Sequence, residues 1–321
     1  MLRSARQSAA QWARHAHELC GHRPDAYVGN NAMQSAKVDA ALFAWSAALR
    51  DAQVAMMQAG PGICMDIGCG DGANTLKLAS ALGSDWRLVG VDVSEPMIAH
   101  CRRAHESGTL PAASAVHLAP FSWHCADVGD EGALARVLAR CGSLGCADLV
   151  TSFNALHWLP EAQHPDMLRN VRRVLNQEAG RALIEIEAAG SMDGMFSCIE
   201  EVARTHERWA PRFAGGALGS GWAARGFYRP SAAEYGRMAH AAGFSRVRCT
   251  TVPHTSRHAG EAGVRSRLVG AWTQLPSLAA HLRDEHEARE FLVDVATAFS
   301  AGAQQDEIPL ACELLLLDAR P

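Results

Sequence analysis

The sequence predicts a doubly wound α/β fold. Between residue 63 and about residue 187, short apolar runs alternate with longer helix-compatible segments, the pattern of βα units and a parallel sheet. Two further apolar runs follow near the C-terminus, and the 321 residues suffice for such a sheet with additional helices. We therefore expect a Rossmann-like sheet of seven strands, with helices on both faces and a helical cap.

Each predicted element follows from its apolar pattern. The strands are predicted at 63–67, 87–91, 121–125, 148–153, 182–186, 244–252 and 312–318. Helices are predicted over 33–57, 74–82, 96–105 and 167–175, and most of the sixty residues before the last strand also have helical character, with an apolar stripe that includes Phe291 and Val295. Ser231 followed by Glu234 resembles a capping box that opens a helix ending near Gly243.

Three segments are expected on this basis. Residues 1–58 form an N-terminal helical segment that covers the pocket, 59–190 form the core, and 191–321 form a cap and the strands that complete the sheet. The stretch 211–230 contains five Gly, which suits a loop that covers a site. Aromatic residues in and before this stretch either line an apolar pocket or form ordinary cap core; they are Trp209, Phe213, Trp222, Phe227 and Tyr228.

Composition points to a small-molecule partner. Hydrophobic residues make up 48% and charged residues 20%, and the net charge is only −4, which argues against a disordered chain and against a nucleic-acid binder. No apolar run reaches the roughly 20 residues that span a bilayer. The ten Cys form no Cys-x-x-Cys spacing, so we expect no metal site, reduced thiols and a cytoplasmic location, although the basic residues within 1–20 would also suit a mitochondrial transit peptide.

The most informative stretch joins the first predicted strand to a helix. It reads Cys64-Met65-Asp66-Ile67-Gly68-Cys69-Gly70-Asp71-Gly72. Alternating glycines let the backbone turn tightly and approach a ligand, toward which the next helix presents free amide groups. Asp92 ends the second strand, where it could accept hydrogen bonds from both ribose hydroxyls, and Asp127 follows the third strand, where it could accept from an adenine amine.

A nicotinamide dehydrogenase would also fit part of this loop, because Gly68, Gly70 and Ala73 read as Gly-x-Gly-x-x-Ala. Two features argue against it. Asp66 stands two residues before the first glycine, and the loop lies deep in the chain after a helical segment.

The loop resembles that of class I methyltransferases, whose Asp/Glu-x-Gly-x-Gly-x-Gly motif is matched in full by residues 66–72. The resemblance implies that S-adenosylmethionine is the cofactor. It implies that Asp66 lies near the methionine ammonium and that Gly68 and Gly70, with Gly72 after them, border the methionine part. It also places Asp92, with Val93 beside it, at the ribose, and Asp127 and Val128 at the adenine.

Donors for an acceptor follow the fourth strand, whose tip should face the transferred methyl group. His157 and Trp158 can both donate hydrogen bonds there, and Gln34 adds an amide donor from the start of the helix expected to cover the pocket. A carboxylic acid is already ionised near neutral pH, so it needs such donors and no base.

These residues look like those of the juvenile hormone acid methyltransferase family, in which an Asn-x-x-Gln segment and a Leu-His-Trp after the fourth strand recur. The resemblance implies that Gln34 and Trp158 bind the carboxylate of a small apolar acid and that His157 supports them. Three alternatives stay open: a methyltransferase for another small molecule, such as a trans-aconitate-like acid, or an amine or phenol with His157 as base; an NAD-dependent oxidoreductase; and a binding protein without catalysis.

Overall fold

The computed structural model describes residues 32–108, 120–142, 146–214, 227–272, 276–279, 281–301 and 306–321. The chain divides into two compact units. One contains the sheet and consists of residues 32–189, 229–252 and 314–321, and the described part of the other lies within 190–228 and 253–313. The three segments predicted from the sequence stay a prediction.

A seven-stranded sheet forms the core, in the order β3-β2-β1-β4-β5-β7-β6. Neighbouring strands from β3 to β5 run parallel, and β7 is antiparallel to β5. Every residue of β4 and β5 is buried, as in sheets covered on both faces. The strands are β1 Gly62–Ile67, β2 Trp86–Asp92, β3 Phe121–Cys125, β4 Leu149–Phe153, β5 Arg181–Glu187, β6 Arg246–Ala259 and β7 Glu307–Arg320.

The predicted α/β fold is confirmed, and the first five strands lie where the apolar runs place them. The last two strands are longer than predicted. β6 continues through Pro253 because an edge strand tolerates proline, and Phe244 lies before the strand instead of within it. β7 begins at Glu307 because Ile308 and Leu310 alternate with exposed residues and extend its buried face.

Twelve helices of four or more residues lie in the described part of the chain. The sheet unit contains α1 Ala32–Ala44, α2 Ser46–Ala59, α3 Ala73–Leu82, α4 Glu95–Glu106, α5 Ala133–Arg140, α6 His164–Val174 and α9 Ala232–Ala241, and the second unit contains α7 Asp193–Thr205, α8 Ala210–Phe213, α10 Gly260–Trp272, α11 Pro276–Ala279 and α12 Glu285–Ser300. The Ser231 side chain accepts from the Glu234 N–H, which confirms the predicted helix start. No helix among these described residues is long and apolar enough to cross a bilayer.

The helices α1 and α2 pack along β5, and this contact positions part of the candidate site. Leu183 of β5 packs in one apolar cluster with residues of both helices. Arg181, at the start of β5, pairs with Asp51 of α2, whereas Glu187, at the end of β5, pairs with Lys37 of α1. Because the two pairs mark opposite ends of β5, the N-terminal turn of α1 lies at the carboxyl edge of the sheet.

The second unit is largely helical and has its own aromatic core. Trp209 and Phe213 are buried, and both rings pack against Phe291 at centroid distances of 5.4 and 5.2 Å. The ordinary-core interpretation therefore holds for these two residues. The loop predicted from residue 211 instead begins as the short helix α8, which buries Phe213. Trp222 and residues 215–226 of that loop, like residues 1–31, lie outside the described residues.

Candidate functional site

The glycine loop follows β1 at the carboxyl edge of the sheet. Gly68, Gly70 and Gly72 all have positive φ values, of 72, 55 and 82°. The N–H groups of Gly68 and Cys69 both donate to the Val91 backbone oxygen, at 2.7 and 3.1 Å. The loop is thereby joined to the end of β2, and α3 begins directly after it.

Two of the glycines lie against other side chains. A Cβ added at Gly68 would overlap the Cβ of Ala155, and one at Gly72 would lie 2.9 Å from the Trp123 ring. A side chain at either position would displace the loop from its neighbours. The spacing of the glycines therefore has two physical causes, backbone conformation and close packing.

Asp66 is buried at the end of β1 and is held by two hydroxyl groups. Its Oδ2 accepts from Thr75 Oγ1 at 2.6 Å, and its Oδ1 accepts from Thr151 Oγ1 at 2.9 Å. Burial raises the pKa of this carboxyl to about 6, although both hydroxyl hydrogen bonds act to lower the pKa. Polar residues in the apolar fourth strand were the sequence signal for Thr151, and the sequence reasoning missed it.

Asp92 ends β2 and organises the loops on either side. Its Oδ2 accepts from the Gly70 N–H at 2.9 Å, and its Oδ1 accepts from the Ser94 N–H at 2.8 Å. Each carboxylate oxygen has two lone pairs, so both can accept a further hydrogen bond from a ribose hydroxyl. Val93, the next residue, has 43% of its surface exposed.

Asp127 and Val128 follow β3 at the same edge. Asp127 Oδ1 accepts from the Gly129 N–H at 2.8 Å, which closes a tight turn. Val128 is buried, and its backbone oxygen accepts from Asn170 Nδ2 of α6 at 3.0 Å. The turn is thus fixed from both ends, and the adenine role of both residues stays a prediction.

At the acceptor end, Asn154 follows β4 with a φ of 50°, a left-handed conformation that asparagine tolerates better than most residues. Its side-chain amide approaches the Gln34 backbone oxygen at 3.5 Å, so α1 and the tip of β4 meet here. His157 and Trp158 lie in the 3₁₀ turn Leu156–Trp158 just beyond, with ring centroids 5.5 Å apart. His157 is buried and Trp158 is half-buried.

Three buried charged residues flank Asn154 and were missed by the sequence reasoning. Glu185 Oε2 accepts from the Asn154 N–H at 2.8 Å, and Lys37 of α1 forms an ion pair with Glu187. The pKa of Glu185 is raised to about 7, chiefly by burial and also by the nearby Glu187, although Lys37 and the Asn154 hydrogen bond act to lower it. The available signal was a lysine in an apolar helix and two acids that alternate through an apolar strand.

The N-terminal turn of α1 is also tied to the helix that follows the glycine loop. Lys77 of α3 donates to the Ser35 backbone oxygen at 3.0 Å and to Asp39 Oδ1 at 2.6 Å. Because Ser35 is adjacent to Gln34, this contact couples the two ends of the candidate site. Gln34, the tip of β4 and the glycine loop therefore belong to one connected network.

The residues at this edge suit an adenosyl cofactor with a methionine ammonium. The glycines, which have no Cβ, let a ligand approach the loop backbone closely, and the buried Asp66 provides a carboxylate for an ammonium group. Asp92 and Asp127 supply acceptors on the two following strand ends. This donor and acceptor set matches the cofactor that the resemblance implies.

Comparison with known proteins supports the same assignment. Residues 64–178 match the family model described as a methyltransferase domain. No curated protein matches the chain.

Three similar solved structures have low identities and TM-scores. The cyclopropane synthase MmaA2 from Mycobacterium tuberculosis is 14% identical, with 81% of this chain and 79% of that chain covered and a TM-score of 0.45. The YcgJ protein from Bacillus subtilis is 14% identical, with 84% of this chain and 98% of that chain covered and a TM-score of 0.44. The mycolic acid cyclopropane synthase CmaA1 in complex with SAH and CTAB is 17% identical, with 81% of this chain and 79% of that chain covered and a TM-score of 0.43. The assignment of the fold therefore depends on the strand order, and that of the reaction on the family model.

The family match covers β1 to the turn before β5, which includes the glycine loop and all three edge acids. The loop could hold either of two cofactors, and the family match favours S-adenosylmethionine over a nicotinamide. Residues 64–178 form a methyltransferase domain, and the chain is an S-adenosylmethionine-dependent methyltransferase.

Proposed function

We propose that this enzyme methylates the carboxylate of a small apolar acid, of the farnesoic acid or juvenile hormone acid kind. When bound, S-adenosylmethionine supplies a methyl group whose carbon forms a bond to the carboxylate oxygen while the C–S bond breaks and its electron pair stays on sulfur. The protein must then align the acceptor and exclude water.

One observation carries the proposal: the Gln34 backbone and Asn154 meet at the tip of β4, two residues before the turn that bears His157 and Trp158. The three predicted acceptor residues, which carry an amide, an indole N–H and an imidazole, thus lie at one end of the sheet. Such groups can orient a carboxylate, which carries no proton that a base must remove.

The acceptor is proposed to be a free small molecule in the cytoplasm and neither a nucleic acid nor a bilayer lipid. A net charge of −4 supports this choice, because nucleic-acid and membrane-surface partners favour strongly basic proteins.

The test is incubation with labelled S-adenosylmethionine and a panel of terpenoid and fatty acids that includes farnesoic acid. We expect a base-labile labelled ester. Trp158→Phe keeps an aromatic ring, although a smaller one, and removes the N–H, so it should raise the acceptor KM about tenfold, the loss of one hydrogen bond to a charged group, while cofactor affinity is unchanged.

Gln34→Leu should have the same effect, and Gln177→Leu, at an exposed position in the turn before β5, is its matched control. The absence of ester across the whole acid panel would contradict the proposal.

A second candidate is an amine or hydroxyl acceptor, with His157 as base. It is favoured by two buried acceptor atoms, Gln34 Oε1 and Glu185 Oε1, that have no hydrogen-bond partner in the described part of the chain. A substrate that donates a hydrogen bond would satisfy such atoms. A base-stable product and a rate that rises through the histidine range would favour this reaction.

A further inference from the structure

We infer that Glu185 is a positioning residue for the acceptor, and that its neutral carboxyl is the form that admits a carboxylate beside Asn154. The inference rests on the proposed carboxyl methylation. Glu185 lies at the buried junction between β5, the end of β4 and the first turns of α1.

The position of Glu185 follows from the strand register. Phe153, the last residue of β4, pairs with Glu185 of β5, so the glutamate side chain reaches the first residue beyond β4. Its Oε2 accepts the Asn154 N–H at 2.8 Å. This hydrogen bond fixes a left-handed residue, and the chain enters the turn with His157 and Trp158 directly afterwards. Glu185 therefore fixes the position from which that turn starts.

The charges around Glu185 do not balance when it is ionised. Lys37 faces it from α1 and Glu187 faces it from its own strand, while the Asn154 N–H approaches from the end of β4. Lys37 already pairs with Glu187. One ammonium group thus faces two fully buried carboxyls, and the second negative charge gains no cation of its own among these groups.

The neutral form fits the atoms that remain. Glu185 Oε1 is buried with no hydrogen-bond partner among the described residues. A proton on this carboxyl provides a hydrogen-bond donor, whereas the ionised form can only accept. A nearby acceptor carboxylate would be attracted by the first form and repelled by the second. Burial, which raises the pKa of Glu185 to about 7, keeps the neutral form populated near neutral pH.

The expected pH dependence is opposite to that of a catalytic base. If the acid binds only when Glu185 is neutral, its KM rises with pH above about 7, approaching tenfold per pH unit, while kcat changes little. A histidine base would instead make the rate rise over this range. The direction of the change therefore separates the two mechanisms.

The experiment measures initial rates from pH 6 to 9 with saturating S-adenosylmethionine and an acid that the enzyme turns over. Three proteins are compared: the native chain, Glu185→Gln and Glu178→Gln. Glutamine keeps an acceptor for the Asn154 N–H but cannot ionise, so E185Q should show a flat KM. Glu178 is exposed in the turn before β5, and E178Q should follow the native profile. Parallel profiles for native and E185Q overturn the inference and leave carboxyl methylation standing.

A second readout needs no acceptor. The folded-state pKa of Glu185 is raised, so the stability that its neutral form contributes is present below about pH 4.5 and is lost as the pH rises through about 7. The urea midpoint of the native protein should therefore fall relative to that of E185Q between pH 5 and 8. The contribution of Asp66 is common to both proteins and cancels. Equal pH dependence of the two proteins overturns the inference, and no turnover of any acid overturns both it and the proposed function.

Discussion

The backbone N–H of Gly70 donates to Asp92 Oδ2 at 2.9 Å, so the middle glycine of the loop is fixed by the acid at the end of the next strand. The other oxygen of Asp92 accepts from the Ser94 N–H, at the start of α4. A single carboxylate thus joins the loop after β1 to the turn after β2. Its predicted contact with the ribose would add a further hydrogen bond to this carboxylate.

Replacing Asp92 by alanine should therefore weaken binding through both the ribose and the loop. We expect Asp92→Ala to lower the affinity for S-adenosylhomocysteine by about 1–3 kcal/mol, roughly a 5- to 150-fold rise in Kd. Calorimetry measures this change. Asp85→Ala, at an exposed position before β2, is the control and should bind as the native protein does. An unchanged Kd for Asp92→Ala would mean that the ribose assignment is wrong.

Gly68 should tolerate no side chain for two separable reasons. An alanine there would adopt an unfavourable φ near 72° and would also overlap Ala155. An alanine that relieves the backbone strain of about 1–2 kcal/mol must move the loop, and restoring the loop on binding should raise the Kd for S-adenosylhomocysteine about 5- to 30-fold. The double variant Gly68→Ala, Ala155→Gly removes only the overlap and should recover part of this loss.

Gly108 supplies the matched control for backbone strain. It follows α4 with a φ of 65°, and a Cβ there would meet no atom within 4 Å in the described structure. Gly108→Ala should lower the urea midpoint while leaving the cofactor Kd unchanged. If Gly68→Ala also affected stability alone, the loop would have no role in cofactor binding.

The parallel core and its loop were predictable because their signals are local. Each strand from β1 to β5 is a short apolar run, and the acids at 66, 92 and 127 lie within two residues of the ends of such runs. Parallel strands bring their carboxyl ends to one edge, so sequence position alone predicts that these acids converge. The N-terminal part of β7 had a weaker signal, because two of the exposed positions in its alternation hold Pro309 and Ala311 in place of polar residues.

The buried charges of the acceptor end had no such local signal. Lys37 and Glu187 are 150 residues apart, and each looks like an ordinary polar residue within its own segment. Their burial becomes evident only when α1 lies along β5, and this arrangement is held by the packing of Leu183 and other apolar residues. Glu185 was missed for the same reason, because the predicted site residues follow the strands and Glu185 lies within one.

Removing one partner of the Lys37–Glu187 pair should lower the free energy of unfolding strongly, whereas replacing both partners by apolar residues should lower it little. Lys37→Met leaves a buried carboxylate without its ammonium partner, and we expect the free energy of unfolding to fall by roughly 3–5 kcal/mol. The double variant Lys37→Met, Glu187→Leu removes both charges and should recover most of that loss. Urea unfolding measures both effects.

An exposed ion pair provides the comparison for this prediction. Arg136 pairs with Asp130 at 2.6 Å on the surface, so Arg136→Met should cost no more than about 1 kcal/mol. Equal losses for Lys37→Met and Arg136→Met would show that the pair at β5 does not anchor α1. If the double variant were no more stable than Lys37→Met, the loss of stability would not come from leaving the Glu187 carboxylate without its partner.

Asp66 should make cofactor binding depend on pH. Burial raises its pKa to about 6 in the free protein, and a ligand ammonium favours the ionised form. Binding must then release a proton at low pH, so the Kd for S-adenosylhomocysteine should rise as the pH falls below about 6, approaching tenfold per pH unit, and should level off above pH 7. Calorimetry from pH 5 to 7.5 measures the slope. Asp66→Asn should bind more weakly with no slope, while E178Q should keep the native slope; a native slope in Asp66→Asn would assign the proton to another group and remove Asp66 from the ammonium site.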